Sequence, residues 1–266
     1  MNQSILLNLS ALSALLPMSI VAVRRPGRRD GMFWAVLAVA IAGPVAFAVT
    51  QLGEGRLTSL STALWITIGA SILLFGSLCL AVREAWRLTP LLAPYLLLLG
   101  VISSAAEFAP GRALPPTLPQ AWLDVHIVVS VATYGLLTVA AIAGVAVLLQ
   151  ERALRRKRAS GLAQSLPSVA DAERLQVGLL IASEIVLGFG LLTGMATAYM
   201  ASGVALPIDH KTVLALLAFA TIGALLLVHH RTGLRGRRAA RWVLVAYLLL
   251  MLAIFGVKFV TDVLMA

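Results

Sequence analysis

Long apolar runs separated by short polar segments dominate the pattern along this chain. Eight runs approach the roughly 20 residues with which a helix crosses a bilayer core. They lie at 5–23, 32–52, 59–82, 90–105, 123–149, 175–200, 211–229 and 240–263. The pattern predicts an all-α fold, a polytopic integral membrane helical bundle with about eight transmembrane helices.

The positions of the basic residues predict how this bundle is oriented. Of the 21 Lys and Arg residues, 17 fall on one side of the predicted spans. The other four are Arg56, Arg112, Lys211 and Lys258. Because cytoplasmic loops carry the positive excess, both termini are predicted to lie outside. The net charge of +10 is therefore interpreted as a topology signal, and no nucleic-acid partner is expected.

Composition and loop positions divide the chain into three predicted parts. Hydrophobic residues make up 60% of the 266 positions and charged residues 12%, which excludes an ordinary soluble domain. The single cysteine, Cys79, excludes a disulfide framework and a thiolate metal site. We expect an N-terminal four-helix membrane region (1–105), a Pro-rich outer loop (106–122) and a C-terminal four-helix region (123–266).

A basic segment, residues 150–174, lies on the predicted inner side. Its sequence predicts that the fifth helix continues past residue 149 before a turn at Gly161 or Pro167. Lys and Arg cluster at 152–158. Two interpretations stay open, an anchor for anionic lipid headgroups and a docking surface for a protein partner.

The four histidines limit where a metal or a haem group would bind. His126 and His210 begin predicted spans at the outer boundary, whereas His229 and His230 end the seventh span on the inner side. A continuous helix separates His210 from His229 by roughly 28 Å, so these two cannot bind one centre. His126 and His210 share one predicted depth on different helices and are candidates for a common site.

Polar and small residues continue below His126. The polar residues that follow on its helical face are Ser130, Thr133, Tyr134 and Thr138. Polar groups on one face of a spanning helix are predicted to face protein or a cavity, because hydrocarbon cannot satisfy them. Gly190 and Gly194 form a GxxxG pair in the sixth span, which allows close helix packing or leaves room for a flat ligand.

Two kinds of metal centre are compatible with these residues. Two imidazoles from separate helices would give a six-coordinate haem iron. Zinc normally needs three or four protein ligands. Asp124 and Asp209 would have to complete such a zinc set, although both are also placed as helix N-caps.

Four ordered motifs carry a family resemblance. They are "VHIVVSVATYGLLTVAAIAGVAVLLQE", "LGFGLLTG", "DHKTVLALLAF" and "LRGRRAARWVLVAYLLLMLAIFGVKFV". Together they resemble the C-terminal region of the CcsA/HemX cytochrome c assembly superfamily, and within it the YpjD-type inner membrane proteins. The resemblance covers residues 123–262 in sequence and the four N-terminal spans in topology. The CcsA branch presents haem at the outer membrane face.

The resemblance implies roles for particular positions. His126 stands where that branch has an outer haem-ligating histidine, and His229, in "HHR", resembles its inner histidine. Asp209 and Lys211 fall where its tryptophan-rich segment ends in Asp-Pro-Lys, with His210 in place of proline. The chain departs from the branch at 196–209, which contain no tryptophan, and lacks the second outer histidine after the eighth span. Either His210 substitutes as the second ligand, or the ligation chemistry is lost.

The leading prediction is a haem-handling protein of the bacterial inner (plasma) membrane. It would bind or pass haem b near the outer face, with His126 and His210 as axial ligands and His229 as an inner site. The implied partners are haem, membrane lipids and other cytochrome c biogenesis proteins. We expect no stand-alone enzyme activity, and at most a component of a haem-ligation system.

Two alternatives stay open beside this prediction. One is a cofactor-free membrane scaffold or HemX-like regulator of tetrapyrrole metabolism that acts through the basic inner segment. The other is a proton-coupled small-molecule transporter. Glu184, an ionisable residue inside the sixth span, would be the proton site of a transporter, since such residues are costly in a membrane. Proton relay, pairing with a basic residue and burial in the protonated form are all compatible with its position.

Overall fold

The computed structural model describes residues 2–24, 29–53, 59–108, 120–157 and 161–260. Its α-helices are α1 (Asn2–Arg24), α2 (Gly31–Gly53), α3 (Leu60–Ala81), α4 (Thr89–Ala105), α5 (Gln120–Arg155), α6 (Gly161–Ser165), α7 (Val169–Ser202), α8 (His210–Thr232), α9 (Gly236–Met251) and α10 (Val257–Phe259). Short 3-10 helices, Ala85–Leu88 and Ala106–Phe108, flank α4. A π-helical stretch, Leu252–Gly256, joins α9 to α10. The described ranges contain no β-strand.

The predicted all-α membrane bundle is confirmed. In the described residues, eight helical segments are long and apolar enough to cross a bilayer, namely α1 to α5, α7, α8 and the continuous segment from α9 to α10. The chain is a multi-pass membrane protein. Which end of the bundle faces outward stays a prediction, and most of the Pro-rich outer loop, residues 109–119, lies outside the described residues.

Two helices are longer than the apolar pattern predicted. The fifth span was expected at 123–149, and α5 extends from Gln120 to Arg155, which confirms the predicted continuation of the helix past residue 149. The sixth was expected at 175–200, but α7 begins at Val169. Hydropathy marks the part of a helix that lies in hydrocarbon, whereas backbone hydrogen bonds continue the helix into the polar zone. Of the two positions predicted for the turn, Gly161 begins the short helix α6, whereas Pro167 lies in the non-helical segment before α7.

Side chains just before three of the helices fix where those helices begin. Ser59 accepts a hydrogen bond from the Thr62 amide at the start of α3. Ser168 and Asp209 play the same part at the starts of α7 and α8. Each oxygen satisfies an amide that has no partner inside its helix, which stabilises the helix start. The seventh span therefore begins at its predicted cap, Asp209.

The helices pack as two groups that meet along α5. In the first group α1 contacts α2 and α4, and α3 contacts the same two helices; in the second, α5 contacts α7 and α9, and α8 contacts the same two. The α3–α5 contact joins the groups. Gly135 makes that approach possible, because an added Cβ would lie 3.4 Å from the Ala70 backbone and closer still to Leu74.

Within the second group, the helices differ in how deeply they are enclosed. In the apolar window of α5, 72% of the residues are buried inside the protein, whereas the window of α8 is only 17% buried. The buried residues of α8 are Ala218, Ile222 and Leu225, which lie on one face. Most of the remaining surface of α8 is apolar and faces the bilayer, where lipid covers it. Among the eight spans, α8 is the least enclosed by other helices.

Candidate functional site

A cavity of about 410 Å³ lies between α5, α7, the start of α8 and the π-helical stretch. This end of the bundle is the one predicted to face outward. The polar residues on its wall are His126, Ser130, Thr133, Tyr134, Asp209, Lys211, Thr212 and Lys258. The larger apolar residues on its wall are Leu187, Leu191, Met195, Leu206, Leu216, Leu250 and Ile254. The volume is within the usual range of ligand pockets.

His126 is half-buried on the cavity wall and is held in place by α7. Its Nδ1 atom lies 3.0 Å from Thr193 Oγ1. The one hydroxyl proton of Thr193 is directed at the carbonyls of Phe189 and Gly190, 3.0 and 3.1 Å away. The Thr193 oxygen is therefore placed to accept the proton that Nδ1 donates. A neutral imidazole that donates through Nδ1 keeps its metal-binding lone pair on Nε2.

The lack of a side chain at Gly194 leaves room for the His126 ring. A Cβ at Gly194 would lie 3.1 Å from His126 Cε1, closer than side chains normally pack. A Cβ added at Gly190, one turn away, would lie 3.5 Å from Val129 Cγ1, which is an ordinary contact distance. Both glycines line the cavity. The GxxxG pair thus allows α7 to pack closely against α5, with the His126 ring beside Gly194. Room for a flat ligand stays a prediction.

The polar face of α5 is directed into the protein, as predicted. Thr133, Tyr134 and Thr138 are buried. The Tyr134 hydroxyl donates to the Leu250 carbonyl just before the π-helical stretch, and Thr138 Oγ1 lies 3.3 Å from the Tyr247 hydroxyl. Tyr247 also shares a hydrogen bond with Tyr95 of α4. These hydroxyls are satisfied by protein partners, so the polar face both lines the cavity and joins α5 to α9.

The junction of α7 and α8 places two residues of opposite charge, Asp209 and Lys211, at the cavity edge. Burial alone would raise the pKa of Asp209, but the hydrogen bonds from Thr212 and the positive charges of Lys211 and His210 lower it below its ordinary value. Asp209 and Lys211 both line the cavity. His210, between them, is exposed and is absent from the cavity wall. Its pairing with His126 stays a prediction.

The inner histidines lie at the other end of α8. His229 Nδ1 lies 2.8 Å from the Leu234 carbonyl oxygen. Because a carbonyl only accepts, Nδ1 carries the proton and Nε2 keeps the lone pair. His230 packs edge-on against it, with ring centroids 5.6 Å apart. His229 therefore has the tautomer that a metal ligand needs, but whether it binds anything stays a prediction.

The described residues give no support to a zinc site. Among them, no group of three or more His, Cys, Asp or Glu is arranged to hold a metal ion. Asp209 is engaged as the N-cap of α8. Asp124 is exposed on the first turns of α5. An iron inside a porphyrin needs only one or two protein ligands, so the single imidazole on the cavity wall is compatible with haem.

Glu184 faces the α7–α8 interface, away from the cavity wall. A Cβ at Gly223 would lie 2.9 Å from its Oε1 atom, so that glycine leaves room for the carboxyl group. Its Oε2 atom is buried and has no hydrogen-bond partner among the described residues. No ion pair to Glu184 occurs among those residues either. Pairing with a basic residue is thus unsupported there, whereas proton relay and protonated burial stay predictions.

Lys258 is the cavity residue whose role the sequence pattern did not indicate. It follows the π-helical stretch and lines the cavity near the Asp209 and Lys211 segment. The sequence did contain a signal, because a lysine inside a spanning segment is costly and tends to face a cavity. The π-helical stretch itself was not predicted, and such stretches often occur at functional sites.

Comparisons with known proteins cover the whole chain. A family model described as "Cytochrome C assembly protein" matches residues 6–265. A relative from Azospirillum brasilense, described as "Uncharacterized 28.8 kDa protein in nifR3-like 5'region", is 53% identical over 270 residues, with 100% of both chains aligned. The family match includes the four N-terminal helices, for which the sequence motifs had indicated a likeness in topology alone.

Proposed function

Because the chain belongs to the cytochrome c assembly protein family, we propose that it binds haem in the cavity beside His126 and passes it on. Family membership supports a haem-handling role in cytochrome c biogenesis. In our proposal the haem is haem b, the membrane is the bacterial inner membrane, and the cavity opens toward its outer face. The chain then acts as a haem-handling component and has no stand-alone enzyme activity.

The single observation that carries this proposal is the environment of His126. Its Nδ1 atom is engaged with Thr193 on α7, which leaves Nε2 as the ligating atom. Haem would supply an iron with two axial positions, and histidine is a common axial ligand. The hydrogen bond to Thr193 would orient the ring and raise the basicity of the ligating nitrogen.

The remainder of the cavity fits the other parts of haem. Leucine, methionine and isoleucine side chains form much of the wall, which suits a flat, apolar macrocycle. Lys211 and Lys258 also line the cavity. Two ammonium groups match the two carboxylates that a haem group carries. A site with an imidazole, apolar walls and cations at one cavity favours this amphipathic ligand over a small hydrophilic substrate.

The second axial ligand in our proposal is His210. It stands between two residues of the cavity wall, Asp209 and Lys211, at the first residue of α8. In the structure its side chain is exposed. His229, at the far end of α8, would belong to a separate inner site, because one helix length lies between the two histidines.

Absorption spectra of the purified protein test this proposal. The protein is reconstituted with haem in detergent, and oxidised and reduced spectra are recorded for the wild type, His126→Ala, His210→Ala and the double variant. His230→Ala serves as a control, because His230 is exposed at the other end of α8. We expect stoichiometric haem binding in the wild type and the control, and loss of binding in His126→Ala.

The single variants separate the two ligands. If His210 is the second ligand, His210→Ala keeps haem but changes it from a low-spin to a high-spin spectrum. An unchanged His210→Ala spectrum would remove His210 from the site and leave His126 as the sole protein ligand. A wild type that binds no haem after reconstitution would overturn the proposal and leave the scaffold hypothesis as the leading one.

A further inference from the structure

A second concave surface lies at the opposite end of the bundle from His126. It is a groove of about 500 Å³ between the last turns of α5 and the first turns of α9. Its floor is apolar and its rim is basic. The floor consists of Val145, Leu148 and Leu149, and the rim of Arg152, Arg155, Arg237 and Arg241 together with Glu151. We call these eight residues the arginine groove.

The charges of the groove do not balance. Four guanidinium groups face one carboxylate. Glu151 is also engaged elsewhere, since its Oε1 atom accepts a hydrogen bond from the Arg237 amide at 3.0 Å. Its Oε2 atom lies 4.0 Å from Arg155. The groove therefore carries a net positive charge that an anion would offset.

The groove is built by specific contacts between helices. Glu173 of α7 accepts a hydrogen bond from the Gly236 amide at 2.5 Å, while Glu151 caps the next amide of α9. Gly236 has a φ of +66°, and a Cβ there would collide with Glu151. The two carboxylates from α5 and α7 hold the start of α9 in place. Arg237 and Arg241, one turn apart on α9, are thereby fixed opposite Arg152 and Arg155.

The position of the groove identifies the kind of ligand. Its floor belongs to the apolar part of α5, while its rim belongs to the polar end of that helix and to the first turns of α9. This is the boundary between hydrocarbon and headgroups. The same end of the bundle carries the excess of basic residues that marks the cytoplasmic leaflet, where anionic lipids are concentrated. A lipid would place its acyl chain against the leucines and its phosphate among the arginines.

We propose that the arginine groove is a binding site for an anionic phospholipid of the cytoplasmic leaflet. The phosphodiester group accepts hydrogen bonds from the guanidinium groups of α5 and α9, and the acyl chain covers Val145, Leu148 and Leu149. Bound lipid thus bridges the two helices on the side remote from the haem cavity. This inference does not depend on haem binding.

Lipid titration of the delipidated full-length protein tests the proposal. Binding of dioleoyl phosphatidylglycerol is measured by native mass spectrometry in a neutral detergent, beside dioleoyl phosphatidylcholine and inorganic phosphate. The groove variant is Arg237→Gln/Arg241→Gln. Its matched control is Arg231→Gln/Arg238→Gln, which removes two exposed arginines from the same end of the bundle. We expect the groove variant to bind phosphatidylglycerol about thirtyfold more weakly, from the contribution of each basic residue near a membrane surface, and the control to bind it as the wild type does.

The other possible results of the titration also test the proposed lipid site. Equal losses in the groove variant and the control would show general charge attraction and overturn the site. Equal binding of phosphatidylcholine, or binding of inorganic phosphate as tight as that of the lipid, would overturn the anionic lipid as the ligand. Arg237→Lys/Arg241→Lys keeps both charges and is expected to retain most of the binding, even if the Gln variant folds poorly. His126→Ala is expected to bind lipid normally, which separates this test from that of the haem site.

Discussion

The first four helices and the last four spans of this bundle use their interiors differently. Between α1 and α4, large side chains fill the core, and Phe47, Trp65 and Phe75 are at most 1% exposed. Between α5 and α10, glycines and a π-helical stretch border a cavity of about 410 Å³. The bundle therefore combines a densely packed half, α1 to α4, with a half that contains a cavity, α5 to α10. We call them the closed half and the open half.

The polar groups show the same contrast. In the first half two pairs of polar side chains satisfy one another: Trp65 Nε1 donates to Asn8 Oδ1 at 2.5 Å, and Ser61 Oγ lies 2.9 Å from Glu107 Oε2. In the second half, His126 and Lys211 border open space. Buried polar pairs fix helix positions, whereas polar groups at a cavity are available to a ligand. The closed half packs against α5 through α3, and the polar groups that border a cavity lie in the open half.

Matched leucine substitutions provide the largest test of this contrast. Leu96 of α4 is 0% exposed, whereas Leu216 of α8 lines the cavity and is 38% exposed. Leu96→Ala is expected to cost about 2 kcal/mol of unfolding free energy, the low end for a buried leucine, because lipid is itself apolar. Leu216→Ala is expected to stay within about 0.5 kcal/mol. Unfolding in mixed micelles, followed by circular dichroism, measures both. If the two substitutions lower the free energy of unfolding equally, the proposed contrast between the closed half and the open half is wrong.

Removal of the hydrogen bond to His126 is expected to have the next largest effect. Thr193→Val keeps the side-chain shape but removes the oxygen that lies 3.0 Å from His126 Nδ1. Loss of such a supporting contact lowers metal affinity by about tenfold or more. The matched control is Thr197→Val, since the Thr197 hydroxyl donates to the Gly194 carbonyl of its own helix and, among the described residues, to no other helix. Haem titration followed by absorbance measures the affinities. If both variants bind haem equally well, Thr193 does not position the ligand.

A methyl group at Gly194 tests the space beside the imidazole. Gly194→Ala places a Cβ 3.1 Å from His126 Cε1, so the ring must shift by a few tenths of an ångström. We expect a loss of about 1 kcal/mol in haem binding, the low end of the cost of overpacking. Gly178→Ala on the same helix is the control, because nothing lies within 4 Å of its Cβ. Unchanged haem affinity in Gly194→Ala would show that the cavity tolerates a displaced ring.

The smallest expected effect concerns the cap at the cavity edge. The pKa of Asp209 is lowered in the folded protein despite partial burial, which opposes the shift. Its stabilising contribution is therefore complete above the ordinary pKa of an aspartate and is lost as the pH falls through the lowered value. Asp209→Asn keeps a capping side chain that does not titrate. We expect its stability, measured by thermal unfolding between pH 2 and pH 6, to depend less on pH than that of the wild type, by less than about 1 kcal/mol. Identical pH profiles would contradict the assigned role of Asp209.

Much of the fold followed from one-dimensional patterns. Apolar runs indicated all eight spans, and the polar face of α5 indicated which side of that helix is internal. The continuation of α5 past residue 149 was predicted, but the start of α7 at Val169 was not, because it lies beyond the apolar part of that helix. The π-helical stretch at Leu252–Gly256 was not expected either. Next to it, the Tyr134 hydroxyl donates to the Leu250 carbonyl, a contact between two segments that are distant in the sequence.

The candidate site was predictable only in part, for a similar reason. His126 and Gly194 were singled out by their spacing, and the structure places them in contact. The position of Thr193 under His126 Nδ1 depends on the rotation of α7 against α5, which the pattern does not specify. The arginine groove likewise depends on Glu151 and Glu173 capping a helix far along the chain. The sequence indicated which polar and small residues share a face of one helix, but not which residues of two helices contact each other.

Imidazole rescue tests the central claim, that His126 Nε2 ligates haem in the cavity, most directly. His126→Gly removes the ligand and leaves a space of its shape, and free imidazole is then added to the reconstituted variant. We predict that His126→Gly loses haem binding and that imidazole restores the wild-type absorption spectrum, whereas 2-methylimidazole, which is hindered next to the ligating nitrogen, restores it poorly. A His126→Gly variant that binds haem with the wild-type spectrum and affinity in the absence of imidazole would contradict the claim.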